Sequence, residues 1–284
     1  MEFFTTKREL QQAVCRDREN GLTIGFAPTM GALHQGHLSL VARAGTECDR
    51  VVVSIFVNPN QFNDPNDLKN YPRTLEADVE LLSSVRCDYL FSPNVAEIYP
   101  EPDTRKFDFG ALESVMEGRF RPGHFNGVAQ VVSRLFDIVC PDRAYFGWKD
   151  FQQYSIIRKM STMLKLPIAI VPCEIVREAD GLAMSSRNAL LTPAHRAVAP
   201  HIYRILQEAL TEAVFCATEE VKARVCGKIE KIALLRLEYF EIVDDLTLQP
   251  VASWEETGTK VGCIAVYAGA VRLIDNIVFD KNKI

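Results

Sequence analysis

The stretch LTIGFAPTMGALHQGHLSL, residues 22–40, decides the architecture. It opens on an apolar run, 22–27, that ends in Pro28 and predicts a buried strand. A turn carrying Gly31 and Gly36 follows, and a helix is expected from about 37 through 44. Within the stretch His34 and His37 stand three residues apart, so rings at the start of a helix would share one face. Gly31 and Gly36 allow close approach to the backbone. Exposed amides and the helix dipole at such a terminus favour an anion. Two imidazoles add donors that can follow charge developing on phosphate oxygens. The plainer reading is a pair of helix-capping or structural histidines. The HxGH spacing directly behind a strand favours a nucleotide site, because the context supports the motif. Neither GxxxxGK[ST] nor GxGxxG occurs here, which disfavours a P-loop kinase and a dinucleotide dehydrogenase.

Outward from this stretch, strands and helices alternate. A helix is expected over 5–18, a strand covered on both faces over 50–56 (RVVVSIF), a helix over 74–84 and a short strand over 87–91. An apolar helix over 125–139 stops at Pro141, followed by a strand at 143–146, a helix at 151–164 and a strand at 168–171. This order implies an α/β fold, a Rossmann-like doubly wound parallel sheet with helices on both faces. In such sheets ligands bind beyond the carboxyl ends of strands, here the segments after Ala27, Phe56 and Phe146. The pattern then changes. Thr192-Pro193 starts helical sequence running to about 215, a second helix covers 218–234, and strand-like runs occupy 237–243, 261–267 and 271–274. The expectation is a catalytic domain over 1–180 and a smaller C-terminal α+β domain over 181–284.

Four further segments carry candidate chemistry. In SIFVNPNQF (54–62), Asn58, Asn60 and Gln61 offer oriented neutral donors and acceptors, or simply a turn. In RFRPGHF (119–125), Arg119, Arg121 and His124 form a local basic cluster suited to an anion, or a solvated loop. In FGWKDFQQ (146–153), Lys149 can neutralise phosphate, Asp150 can accept from hydroxyls, and Gln153 lies one helical turn on. In READGLAMSSRNALLT (177–192), a turn at Asp180-Gly181 precedes two hydroxyls and an arginine fork.

Composition narrows the classes. The 284 residues are 48% hydrophobic with a net charge of −5, enough for a large core and without a global pull toward nucleic acid or an anionic membrane. No stretch approaches a membrane span and the N-terminus lacks the apolar core of a signal peptide, so a cytoplasmic protein is expected. The eight scattered cysteines, without a CxxC pair, read as reduced thiols rather than a disulfide framework.

PTMGALHQGH, VSIFVNPNQF, YPRT (71–74), RPGHF, FGWKDFQQ and READGLAMSSRN stand in the order and spacing of the pantothenate synthetase (pantoate–β-alanine ligase) family, of the HxGH nucleotidyl-transferase-like superfamily. The chain resembles that family through residues 22–192, and in length and pattern beyond. The resemblance implies ligation of pantoate and β-alanine with Mg-ATP through a pantoyl adenylate, releasing pyrophosphate and AMP. It implies an ATP site formed by Met30, Gly31, Ala32, Leu33, His34, Gln35, Gly36, His37, Gly147, Trp148, Lys149, Asp150, Val176, Met184, Ser185, Ser186 and Arg187. Of these, His34, His37, Lys149 and Arg187 would be catalytic, with His37 a proton donor. Gln61 and Gln153 would hold pantoate, Gln61 would also meet β-alanine, and Asp78 would be the candidate protein ligand of Mg2+. A homodimer is also implied. The chain departs from the family at Trp148, where relatives usually carry Glu, and at Gln130, where Thr is common.

Competing readings are a different nucleotidyl transferase, an aminoacyl-tRNA synthetase fragment and a non-catalytic nucleotide module. The first has no need of Gln61 and Gln153, and the second calls for a basic RNA-binding domain. The third does not require His34, His37, Lys149, Ser185, Ser186 and Arg187 together.

Overall fold

The computed structural model describes residues 1–279. In chain order the elements are β1 (Glu2–Phe4), α1 (Lys7–Glu19), β2 (Ile24–Thr29), α2 (Gln35–Glu47), β3 (Arg50–Ile55), α3 (Pro65–Asn70), α4 (Leu75–Leu82), β4 (Tyr89–Phe91), α5 (Val95–Ile98) and α6 (Met116–Phe120). They continue with α7 (His124–Val139), β5 (Arg143–Gly147), α8 (Phe151–Met163), β6 (Ala169–Cys173), α9 (Pro193–Val198), α10 (His201–Glu212), α11 (Thr218–Glu230), β7 (Leu235–Asp244), β8 (Lys260–Ala268) and β9 (Val271–Phe279). Two compact units result. The first comprises Met1–Phe109, Phe120–Trp148 and Gln153–Glu174; the second comprises Gly110–Arg119, Lys149–Gln152 and the chain from Ile175 onward.

The first unit holds a six-stranded sheet in the order β1-β4-β3-β2-β5-β6, parallel throughout. Successive strands step one way from β2 through β3 to β4, and the other way through β5 to β6. The order therefore reverses between β2 and β5, the switch point at which such sheets bind ligands. Alternating side chains serve the two faces. Phe26 meets Phe136 of α7 at 6.4 Å between ring centroids. Its neighbour Ala27 joins Val41 and Ala44 of α2, with Val51 and Val53 of β3, in a separate buried cluster. With helices on both sides, the strands read as continuous apolar runs.

Pro28 does not end β2; the strand continues through Thr29. β2 pairs with β5 only at Gly25 and Phe26, so Pro28 lies past that ladder, where a missing N–H costs nothing on that side. β1 was not anticipated. Its three residues carry no readable period, and they become a strand by pairing with β4 at the sheet edge.

The second unit packs α10 and α11 on an antiparallel sheet, β7-β8-β9. Ile202, Ile205, Leu206 and Ala209 of α10 and Val221, Val225 and Ile229 of α11 present helical-period stripes to Phe240, Ile264 and Val266. The helical sequence expected from Thr192-Pro193 to about 215 forms two helices, α9 and α10, separated at Ala199-Pro200. Pro200 lacks an N–H and its ring opposes the preceding turn, which stops α9.

Candidate active site

The turn between β2 and α2 is made of two consecutive left-handed residues, Gly31 (φ 80°) and Ala32 (φ 48°), the second unusual for a residue with a Cβ. Its amides are spent internally. Thr29 Oγ1 accepts from Gly31 N at 3.2 Å. The Asp78 carboxylate accepts from Ala32 N at 3.0 Å and from Leu33 N at 2.8 Å. His34 is the N-cap of α2 in an extended conformation, not a residue of its first turn. Its Nδ1 accepts from Gly36 N at 3.1 Å, while Nδ1 of His37 accepts from His34 N at 3.3 Å. The two rings stand 4.1 Å apart, centroid to centroid.

Two consequences follow. The expectation that exposed amides of this turn would cradle an anion is corrected, since those of Gly31, Ala32, Leu33, His34 and Gly36 already have protein acceptors. Each ring meets this backbone through Nδ1. Because both Nδ1 atoms accept, a neutral ring carries its proton on Nε2 in each case. The capping role and the donor role thus coexist on opposite nitrogens of the same side chains.

The turn after β3 is equally determined. Gln61 is buried, and its Oε1 accepts from Asn58 Nδ2 at 3.1 Å. That leaves its amide Nε2 directed toward Met30 Sδ, 3.1 Å away. The Gln61 carbonyl meets His124 Nδ1 at 2.8 Å, and His124 Nε2 meets Arg121 at 3.1 Å. A guanidinium only donates, so Nε2 accepts and Nδ1–H donates to Gln61. His124 is therefore a support of the Gln61 backbone, where the sequence pointed to an anion contact. Tyr99 Oη donates to Asn58 Oδ1 at 2.9 Å, and Asn58 Nδ2 also reaches the Gly127 carbonyl at 3.0 Å. A Cβ at Gly127 would stand 2.3 Å from the Asn60 carbonyl oxygen, so glycine permits α7 to lie against this turn. Tyr99 and Gly127 were missed because their partners lie far off in sequence. Gln153 is half-buried in α8, and Trp148 packs on Tyr154 at 5.4 Å between centroids.

In the second unit, Lys149 Nζ pairs with Asp150 at 3.3 Å, and the Lys149 carbonyl accepts from Asn276 Nδ2 at 3.1 Å. Val176 and Met184 are joined backbone to backbone at 3.0 Å, and Glu178 N donates to the Leu182 carbonyl at 2.8 Å. Arg177 braces this hairpin. It binds Asp275 through two nitrogens, at 2.7 and 3.0 Å, donates to the Gly181 carbonyl, and stacks 3.4 Å from the Tyr203 ring centre. Burial raises the Asp275 carboxyl above its ordinary range, and the bond from Arg177 opposes that rise. Ser185 caps a short helical turn by accepting from Arg187 N at 3.3 Å; Ser186 and Arg187 follow it, partly exposed.

Asp78, the side chain that the resemblance offers to magnesium, is already engaged by the protein. Asp78 is 1% exposed, and its oxygens accept from two amides and from Thr74 Oγ1. Among the described residues no group of three His, Cys, Asp or Glu could hold a metal ion.

The family model for pantoate-beta-alanine ligase matches residues 2–278. Pantothenate synthetase of Porphyromonas gingivalis is 54% identical over 280 residues, 99% of this chain and 100% of the relative. That of Phocaeicola vulgatus is 56% identical over 280 residues, 98% of this chain and 99% of the relative. The crystal structure of pantothenate synthetase from Thermus thermophilus superposes with a TM-score of 0.91 at 43% identity, over 98% of this chain and 99% of that one. Pantoate-beta-alanine ligase from Francisella tularensis, complexed with beta-gamma ATP and beta-alanine, gives 0.82 at 33% identity over the full length of both chains. Matched along nearly its whole length by sequence and by fold, the chain belongs to the pantoate–β-alanine ligase family, the pantothenate synthetases.

Proposed function

We propose that this ligase works by adenylyl transfer from two sets of donors. The pantoate carboxylate attacks the α-phosphate of ATP and pyrophosphate leaves; the β-alanine amine then attacks the mixed anhydride and AMP leaves. Activation is required because a carboxylate is a poor electrophile. The observation that carries the reading is the pair of imidazoles at the N-terminus of α2, each with Nδ1 bound to backbone. Nε2–H donors fixed in this way favour charge that grows on phosphate oxygens in the transition state over charge already present in bound ATP. In this reading His37 acts as an electrostatic donor rather than the proton donor that the resemblance implies.

Met30 through His37 line the ATP site, Gly147 through Asp150 meet ribose and phosphate, and Val176 meets adenine through its backbone. Lys149 and the segment from Met184 through Arg187 supply the remaining phosphate donors. Gln61 presents its amide N–H to the pantoate carboxylate and later to β-alanine, and Gln153 holds the pantoate hydroxyls. Support for Gln61 is the bond from Asn58, which orients its amide. ATP enters as its magnesium complex with the ion carried on the phosphates, in keeping with magnesium's retention of waters. The functional division is a catalytic part over 1–180 and a smaller part over 181–284. We also place the enzyme in the cytoplasm as a homodimer. Eight unbonded cysteines support the compartment, and the resemblance alone supports the dimer.

The test is a single turnover with ATP and pantoate, without β-alanine. Pyrophosphate and a pantoyl adenylate are expected; ADP and inorganic phosphate would identify an acyl-phosphate route and overturn the reading.

A further inference from the structure

We infer that Asp78 is a positioning residue of the nucleotide turn, and not a ligand of magnesium. The inference rests on the reading of residues 30–37 as ATP-binding. Asp78 lies in the first turn of α4, more than forty residues from the turn that it holds. Its side chain is buried, with the carboxylate aimed at the backbone of Ala32 and Leu33. One oxygen takes the Ala32 amide; the other takes the Leu33 amide and the Thr74 hydroxyl, the latter at 3.2 Å.

What is held is a conformation that the chain would not choose unaided. Two successive residues lie at positive φ, and Ala32 has a Cβ that disfavours this region. In this turn the successive amides of Ala32 and Leu33 converge on one acceptor, a place suited to an anion. In many nucleotide sites that anion is the phosphate. Here it is the protein's own carboxylate. The fit is tight on its other side as well. A Cβ at Gly31 would lie 3.0 Å from Asp78 Oδ2 and 3.1 Å from Ile55 Cγ2.

The consequence reaches the imidazoles. Leu33 is followed directly by His34, whose extended N-cap conformation and bond to His37 set both rings. The grip of Asp78 on Leu33 therefore fixes where α2 begins and where two Nε2 atoms point. Three of the roughly four acceptor sites of this carboxylate are taken, and at 1% exposure the side chain gives a hydrated cation no open approach. The chemistry of the site thus separates the two roles that an acidic residue next to a nucleotide could have.

The experiment uses Asp78→Asn, which keeps one acceptor and places an NH2 group against the other amide. In ligand-free protein, hydrogen exchange at the Ala32 and Leu33 amides should accelerate at least about tenfold relative to amides of β3, measured by NMR, as local opening becomes easier. The kcat/KM for ATP in adenylate formation should fall about tenfold to a hundredfold, because displaced donors act on the transition state. The magnesium concentration for half-activation should not change. Adding Ala32→Gly to Asp78→Asn should recover part of the lost rate, since glycine adopts the left-handed conformation without help. Exchange at wild-type rates in Asp78→Asn overturns the inference. So does recovery of activity by excess magnesium, which would make Asp78 a ligand. Accelerated exchange with an unchanged kcat/KM for ATP overturns the ATP reading of the turn instead. Should Asp78→Asn not fold, Thr74→Val leaves the carboxylate and removes one of its donors; a smaller loss of both readouts supports the inference, and wild-type values of both overturn it.

Discussion

The ring of His37 caps the backbone of His34, and the ring of His34 caps Gly36, so that two side chains suited to phosphate also close the first turn of their own helix. Stability and turnover at these positions are separable, because the cap uses Nδ1 and phosphate contact would use Nε2.

Substitution of His37 tests that separation. In His37→Asn the carbonyl oxygen stands near the position of Nδ1 and should preserve the cap, with stability within about 0.5 kcal/mol of the parent. Adenylate formation, followed by rapid quench, should fall about a hundredfold for want of the Nε2 donor. His37→Gln extends an amide N–H toward the Nε2 position and should retain more activity than His37→Asn. Equal loss in both, with a dependence on the acidity of the replacement, would restore proton transfer as the role.

The acid substrate gives a second test. Gln61→Ala and Gln153→Ala should weaken pantoate binding by roughly 1–3 kcal/mol each, the cost of leaving a buried polar group short of a partner. Titration of ATP into the same variants should change much less. An equal loss of ATP affinity in both would show that the acid sits elsewhere.

Asp103 predicts a pH dependence of stability. Its fully buried carboxylate is bound by Arg105 and by Arg134, both at 2.7 Å. The hydrogen bond from Arg105, with that from Arg134, holds it well below the usual carboxylate range against the opposing effect of burial. A depressed folded-state value means stabilisation that is complete above the unfolded value of about 4 and is lost as pH falls through the folded one. Asp103→Asn should therefore cost roughly 1–3 kcal/mol at pH 7, reduced from the buried-pair figure because both arginines are partly exposed. Denaturant unfolding should show the gap between parent and variant shrinking progressively below about pH 4. A gap unchanged with pH would mean that Asp103 acts through packing alone.

Thiol reactivity offers a fourth test. All eight cysteines are unbonded, with Cys15 and Cys140 exposed and Cys48, Cys87, Cys173, Cys216 and Cys263 buried. Burial pushes the Cys87 thiol up to about 12, which suppresses its thiolate. Freshly prepared protein, denatured without reductant, should titrate eight thiols. Native protein should modify at Cys15 and Cys140 first, without loss of adenylate formation. Fewer than eight in the denatured protein would indicate a disulfide.

Much of this protein was readable along the chain because the signals are local. The apolar runs of β2 and β3, the stripe of α7 and the HxGH spacing are each confined to a few consecutive turns or strand positions, where side-chain period and backbone preference act together. They were enough for the doubly wound sheet, the smaller α+β part and the family. Reading failed where local preference met a long-range partner or a single breaker. Pro28 looked like a stop but stays in its strand because β5 has already diverged at that point. Glu2–Phe4 carries no pattern and is a strand only through β4. Pro200 is a visible breaker that the surrounding helical period hid.

The same division runs through the candidate site. That His34 and His37 share a helix start was legible, since three residues of spacing determine it. That their Nδ1 atoms would be consumed by the backbone was not, because it depends on which way each ring turns once Leu33 is anchored. The anchor is Asp78, brought from α4 by the packing of that helix, and the support under Gln61 is His124, brought by α7. Sequence by itself determined which side chains are near each other within a turn, because covalent geometry limits them to it. Tertiary structure alone decided which nitrogen donates, which carboxylate is already occupied and which amides are already bound, because those depend on acceptors delivered from distant elements to groups that cannot be buried unpaired.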